Sequence, residues 1–315
     1  MGASLVRACG AVVLVLVPCV VHAQQSRFTS GIDLVSVGVT VLDKQGDFVT
    51  DLTPENFELY EEGQKQEVSF FTRGDAEADA KRLHLGLLFD TSGSMNDDIQ
   101  FARSAAIRFL NTLSEAEDIT LVDFDTEVRS ARYSQADFPR LVERIRSRKP
   151  DGWTALYDAL GTYLDGAQDL DGRKVLVLYT DGGDTRSAVT FSDAMAMLRT
   201  VDVTLYVVGF LENQPQSLRN GQRMQLMQMA ETTGGQAFFP TSRKMLDDMY
   251  AKVAAQIRAQ YSLGFTSSNP RLDGKWRRLE VRLVGDAPDG SKVRCRPGYF
   301  APLRQDAMRR ATQHQ

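Results

Sequence analysis

A chain of 315 residues, 43% hydrophobic and 25% charged, has enough apolar material for one large or two modest cores, which excludes a disordered or fibrous protein. A formal net charge of −4 gives no general pull toward nucleic acid or an anionic membrane. Two of the three cysteines, Cys9 and Cys19, lie at the extreme start, so Cys295 stands alone in the remainder and no disulfide framework can form there.

The first residues carry an export pattern. After Arg7, the run Ala11 to Val17 reads as a signal h-region, and Val21-His-Ala23 offers small residues at the cleavage positions, so residues 1–23 read as a signal peptide. Two alternatives stand beside it. A lipid anchor at Cys19 is opposed by the poor lipobox Val17-Pro18. A retained anchor is opposed by an apolar run shorter than the about 18 to 20 residues a span needs. The chain is therefore expected to be exported, periplasmic or secreted, with no membrane span after cleavage.

Residues 28–73 read as an N-terminal β segment. Val35, Val37, Val39 and Val41 alternate within Leu34 to Leu42, the pattern of a half-buried strand. Thr53-Pro54 opens a short helix over Glu55 to Phe57, and Leu59, Tyr60 and Val68 to Phe71 make a hairpin about Glu61-Glu-Gly63. The polar, alanine-rich stretch 74–81 marks a boundary.

Residues 82–260 then alternate strands with helices. Strand Leu83 to Asp90 precedes a helix from about Asp97 to Leu113, and strand Ile119 to Phe124 precedes one near Phe138 to Ser147. After Pro150-Asp-Gly152 a helix opens at Thr154, and strand Lys174 to Thr180 ends in Asp181. A helix about Phe191 to Arg199, strand Val203 to Phe210, a helix near Arg223 to Thr232, a short strand at Ala237 to Phe239 and a helix Arg243 to Gln260 follow. Such alternation predicts an α/β domain with a doubly wound, mostly parallel sheet. Met224, Met227 and Met229 on one of its helices read as core filler.

Residues 261–301 return to β patterning, with Tyr261, Leu263 and Phe265 alternating and then Leu279, Val281 and Leu283. Neither flank can bury a core by itself, so residues 28–73 and 261–301 are expected to pack into one small β-sandwich-like unit. Lys275-Trp-Arg-Arg278 with Arg282 reads as a solvated strand face, Cys295 as a small buried hydrophobe, and 302–315 as a disordered tail.

Chemistry concentrates at strand ends. Leu85 to Phe89 is a near-continuous apolar run that closes on Asp90, with Ser92 and Ser94 following at alternate positions. One carboxylate and two hydroxyls on a short loop are hard oxygen donors suited to a divalent cation such as Mg²⁺. Ligands of open α/β sheets bind beyond the carboxyl ends of the strands, where Asp181 also sits and where Thr154 starts a helix. Two carboxylates and three hydroxyls can thus converge as a partial octahedron. Asp125 and Asp184, also at strand ends, read as loop or outer-sphere acids.

Asp90-Thr-Ser-Gly-Ser94, Thr154 and Thr180-Asp-Gly182 resemble the metal-ion-dependent adhesion site of von Willebrand factor A domains. The flanks, Val49-Thr-Asp-Leu-Thr-Pro-Glu-Asn-Phe57 and Arg296-Pro-Gly-Tyr-Phe-Ala301, resemble those of exported bacterial proteins carrying this domain. The resemblance implies a Rossmann-like fold and an ion held by the hydroxyls of Ser92, Ser94 and Thr154, with Asp90 and Asp181 bound directly or through water. Mg²⁺ leads as the ion, with Mn²⁺ or Ca²⁺ as alternatives. An exposed Asp or Glu of a protein partner would close the shell. The family often has glycine just before the threonine. Here it is Trp153, either a core residue or an aromatic that touches the partner.

Enzyme readings fare worse. A hydrolase triad needs a histidine, and apart from the export segment only His84, at a strand start, and His314, in the tail, are present. No Gly-Lys-Ser/Thr phosphate loop occurs. An aspartyl phosphotransferase using Asp90 wants a second carboxylate two residues on, where Ser92 stands. The sequence therefore predicts a non-enzymatic adhesion module, with a scaffold whose ion only stabilises the fold as the alternative.

Overall fold

The computed structural model describes residues 34–74, 82–242 and 244–303. The export segment, most of the 74–81 boundary and the tail from 304 lie outside the described residues.

Six strands form the central sheet: β5 (Leu83–Asp90), β6 (Ala116–Phe124), β7 (Val128–Ser134), β8 (Arg173–Thr180), β9 (Thr204–Gly209) and β10 (Gln236–Phe238), in the order β10-β9-β8-β5-β6-β7. All neighbours run parallel except β6 and β7. Every residue of β5 is buried, because helices cover both faces. On one face lie α1 (Ile99–Thr112), α2 (Phe138–Ser147) and α6 (Met245–Ala259), which share a core with Leu85, Leu87 and Phe89. On the other lie α3 (Leu156–Ala167), α4 (Phe191–Thr200) and α5 (Gln216–Thr232), packed on Leu88, Leu176 and Leu178. The predicted doubly wound α/β architecture is the one observed. Its chain reverses direction of growth between β5 and β8, which opens a crevice above their carboxyl ends.

Close packing across β5 is tight enough to test. A Cβ on Gly86 would collide with the ring of Tyr163 from α3 and with Leu176 from β8. Gly86→Ala is expected to lower stability by about 1–3 kcal/mol through overpacking, read as a lower urea midpoint with an unchanged slope. A midpoint equal to wild type would show that α3 yields freely.

The flanking strands are β1 (Leu34–Leu42), β2 (Phe57–Glu61), β3 (Gln64–Gln66), β4 (Val68–Arg73), β11 (Tyr261–Thr266), β12 (Trp276–Leu283), β13 (Lys292–Cys295) and β14 (Gly298–Phe300). They form two antiparallel sheets, β13-β1-β11-β4 and β14-β12-β2-β3. Each sheet interleaves strands from before and after the α/β part. Val37, Val39, Leu59, Tyr261, Leu263 and Phe265 make their common core.

Four local readings are corrected. β7 is absent from the sequence expectation because none of its residues is buried and Arg129 and Arg132 break the apolar alternation of an edge strand. α5 starts at Gln216, seven residues earlier than predicted, since its first two turns are polar and exposed and carry no apolar periodicity. Of its methionines only Met229 is core, whereas Met224 is 71% exposed and Met227 is exposed as well. On β12, Arg277 is not solvated: it is buried and paired with Asp273 at 2.8 Å and Glu61 at 3.6 Å. Cys295 is half-buried against the core of the β unit, and burial pushes its thiol up to about 11.

Candidate metal centre

Register places the site. Phe89 of β5 lies opposite Tyr179 of β8, so the next residues, Asp90 and Thr180, emerge side by side at the crevice. Asp90 is fully buried. Its Oδ2 accepts from the Thr180 hydroxyl at 2.7 Å and its Oδ1 from the Ser92 amide at 2.9 Å. The Ser92 and Ser94 hydroxyls lie 3.1 Å apart, and Ser94 donates to Oδ1 of Asp181 at 2.8 Å. One hydrogen-bonded chain thus links Asp90, Ser92, Ser94 and Asp181, with Thr180 bracing Asp90 from the side.

Thr154 stands next to this chain, and no described hydrogen bond joins it to the four. Its loop is tied to theirs by the backbone: the Gly93 amide donates to the Gly152 carbonyl at 3.0 Å, and the Asp151 amide to the Thr91 carbonyl at 3.0 Å. Thr154 does not open the helix, as its role as a cap required. α3 begins at Leu156, and the Thr154 amide instead donates to the Thr185 hydroxyl at 2.9 Å, while its carbonyl accepts from the amides of Thr185 and Arg186. The loops after β5 and β8 and the connection from α2 to α3 are thereby stitched into one rim.

Electrostatics at this rim are unfavourable to the protein alone. Asp90 and Asp181 are both fully buried and, among the described residues, neither has a Lys or Arg partner. Burial, reinforced by Asp90, pushes the Asp181 carboxyl up to about 7. Burial also raises Asp90, with nearby Asp125 adding to it. Oδ2 of Asp181 is buried without a hydrogen-bond partner. Two buried carboxylates, one with an orphaned oxygen, and two hydroxyls turned toward them fit a small hard cation, which would supply the missing positive charge. No group of three or more His, Cys, Asp or Glu that could hold a metal gathers anywhere among the described residues, so at this rim hydroxyls would have to supply part of the shell.

Two contributors escape a reading of the motif. In the sequence Thr180 is only the residue before Asp181, and its contact with Asp90 follows from strand register alone. Asp98, at the start of α1, is fully buried, takes a hydrogen bond from Asn213 and further raises Asp181. A third carboxylate eight residues after Asp90 was visible in the sequence, but nothing there placed it behind the site. Asp125 is held by Arg129 through paired contacts of 2.9 and 3.1 Å. Asp184 caps the loop by accepting from the Tyr157 amide and the Ser187 hydroxyl. Trp153 is 64% exposed, with its amide fixed on the Thr126 hydroxyl, so core packing is not its role.

A doubly wound sheet with hydroxyls and buried carboxylates at its switch point defines a class of α/β domains built around a strand-end rim. The model of the von Willebrand factor type A domain matches residues 84–252, more than half of the chain, and the protein belongs to that family. No curated protein matches it. Among solved structures, the pilus adhesin SpaC of Lactobacillus rhamnosus GG in its open conformation superposes with a TM-score of 0.50 at 11% identity, over 82% of this chain and 49% of that one. The von Willebrand domain of the type V pili tip protein Mfa5 of Porphyromonas gingivalis gives 0.49 at 14%, over 57% and 96%. The PilB minor pilin of Streptococcus sanguinis gives 0.48 at 15%, over 59% of this chain and 63% of that one. At these identities the likeness concerns the fold alone. The chain spans less than two thirds of PilB and about half of SpaC.

Proposed function

We propose that the protein is an exported, non-enzymatic binding module that grips a protein partner through a divalent cation. Asp90, Ser92, Ser94, Thr154 and Asp181 would hold the ion, Mg²⁺ for preference and Mn²⁺ or Ca²⁺ as substitutes. An exposed Asp or Glu of the partner would complete its coordination. The observation that carries this reading is the pair of buried, uncompensated carboxylates at adjacent strand ends. A buried carboxylate with no cation beside it is costly to ionise, and a bound divalent ion would remove that cost.

Chemistry beyond binding finds no support among the described residues. His84, the one described histidine, sits at the opposite end of β5, where Asp118 at 3.1 Å and the Asp171 carbonyl at 3.0 Å occupy its ring nitrogens. Export rests on the pattern of residues 1–23. No helix of the described residues is long and apolar enough to cross a membrane. Complete burial of both carboxylates also suits a second reading, an ion that only stabilises the fold.

Mg²⁺ titration followed by thermal unfolding, alongside capture of partner from the exporting organism with and without chelator, separates the two. A ligand at 100 times its Kd stabilises by about 2.7 kcal/mol, and this gain is expected in wild type and absent in Asp90→Ala. Capture lost in chelator supports adhesion, whereas capture indifferent to chelator with stability still responding makes the ion structural. If neither responds, the cation reading fails. Trp153→Ala is expected to leave the Mg²⁺ response unchanged and to weaken capture by about 2 kcal/mol, as for an exposed aromatic anchor. Unaltered capture would remove Trp153 from the interface.

A further inference from the structure

Residues 140–149, covering most of α2 and the turn after it, hold Arg140, Arg144, Arg146, Arg148 and Lys149 against a single acid, Glu143. This is a local excess of positive charge in a chain of net charge −4. Two of these arginines are not free on the surface. Arg144 places Nε 2.8 Å and Nη2 2.7 Å from Oδ1 of Asp123, and Arg148 sets Nε 2.8 Å from Oδ2 as an ion pair without hydrogen-bond alignment. Asp123 is only 2% exposed, and Arg129 approaches it from β7 at 3.6 Å.

The position of this cluster matters. Asp123 lies opposite Phe89 in the β5–β6 register, so it stands one strand, about 4.8 Å, from the residue before Asp90. Arg148 precedes by three residues Asp151, whose amide is bound to Thr91 inside the motif. Arg144 and Arg148 therefore border the cation rim on the β6 side, and exposed Trp153 continues the same edge.

Each arginine is held at its root and keeps spare donors. The described hydrogen bonds use neither Nη1 nor Nη2 of Arg148, and Nη1 of Arg144 is likewise unused, while both side chains retain about 30% exposure. A guanidinium already immobilised by a buried carboxylate loses little freedom when it takes a second one, and its planar fork matches that group in shape. One buried Asp123 cannot neutralise both. Resting on the cation reading above, we propose that Arg144 and Arg148, latched onto Asp123 beside the rim, read an additional acidic side chain of the same protein partner. The partner is thus a polypeptide with clustered acids, one for the ion and at least one for the arginines.

Two fluorescein-labelled octapeptides test this with the full chain. One holds a single aspartate among glycines and serines, and the other adds three glutamates after it. In Mg²⁺ and low salt the acidic peptide is expected to bind at least ~10-fold tighter by fluorescence polarisation, a difference of about 1.4 kcal/mol, and high salt should erase most of that gain. Arg148→Gln, in which Asp123 keeps Arg144 and Arg129, should reduce the advantage to about threefold or less while leaving the Mg²⁺ thermal shift and the single-aspartate peptide unaffected. Arg148→Lys should fall between. Mg²⁺-dependent binding that ignores the glutamates, or an advantage that survives Arg148→Gln, overturns the arginine contact and leaves the cation reading standing. Glutamate-dependent binding that ignores chelator and is lost in Arg148→Gln overturns the cation reading and keeps the arginine contact. No binding of either peptide overturns both.

Discussion

At pH 8 and without divalent cations, Asp181→Asn is expected to be more stable than wild type and to have lost most of its response to Mg²⁺. Asparagine keeps an oxygen to accept from Ser94 and removes a charge that burial and Asp90 make costly. The sign follows from linkage. A carboxyl raised from 3.8 to about 7 in the fold stabilises it while protonated. That contribution is complete below about pH 4 and is lost as pH rises through 7. The gain from Asp181→Asn is therefore largest above pH 7, up to roughly 4 kcal/mol at ~1.4 kcal/mol for each tenfold change in proton affinity, and disappears near pH 4. In wild type the same protons compete with the ion, so the Mg²⁺ thermal shift should be small at pH 5 and grow toward pH 8. Urea and thermal unfolding at pH 4, 5 and 8, with Mg²⁺ and with chelator, measure these responses. A variant less stable than wild type at pH 8 in chelator would sink the idea that Asp181 is uncompensated.

Asp123→Ala is expected to be the most damaging single change away from the rim. It removes the anion shared by Arg129, Arg144 and Arg148 and leaves three guanidiniums crowded at one edge of β6. Breaking a buried pair from one side costs about 3–5 kcal/mol. The arginines are partly open to water and can turn outward, which places the loss at the lower end, about 3 kcal/mol. Because Arg129 keeps Asp125 and Glu127, its own position should persist. A loss below about 1 kcal/mol in the urea midpoint would mean that the cluster is held by something other than Asp123. Asp123→Ala should also unlatch Arg144 and Arg148, so the acidic peptide would lose its advantage while the Mg²⁺ response stays.

Much of the fold was legible because its elements are locally determined. β5 and β8 are continuous apolar runs, which only a strand covered on both faces requires, and a carboxylate, Asp90 or Asp181, marks where each run gives out. The spacing in α1 and α3 announced which side faces the sheet. β7 was not legible, since an edge strand has no buried face and Arg129 and Arg132 are chosen for their partners rather than for alternation. The start of α5 was hidden for the same reason: a helix turn that touches little leaves little periodicity.

The site divides along the same line. Sequence alone determined which hydroxyl and carboxyl groups stand at the strand ends, Asp90, Ser92 and Ser94 on one loop and Asp181 at the end of a second apolar run, but it set Thr154 at the start of a helix, whereas the structure leaves it in the loop before α3. Tertiary structure decided what those groups meet. Parallel register, not spacing, sets Thr180 against Asp90. Helix packing, not composition, puts Asp98 behind Asp181 and draws Arg144 and Arg148 from α2 and the turn after it onto an aspartate of β6. The physical reason is range. A backbone period or a chain of apolar residues is a short-range property that every window of sequence displays, whereas the cost of a buried charge depends on neighbours that only the folded chain brings within a few ångströms.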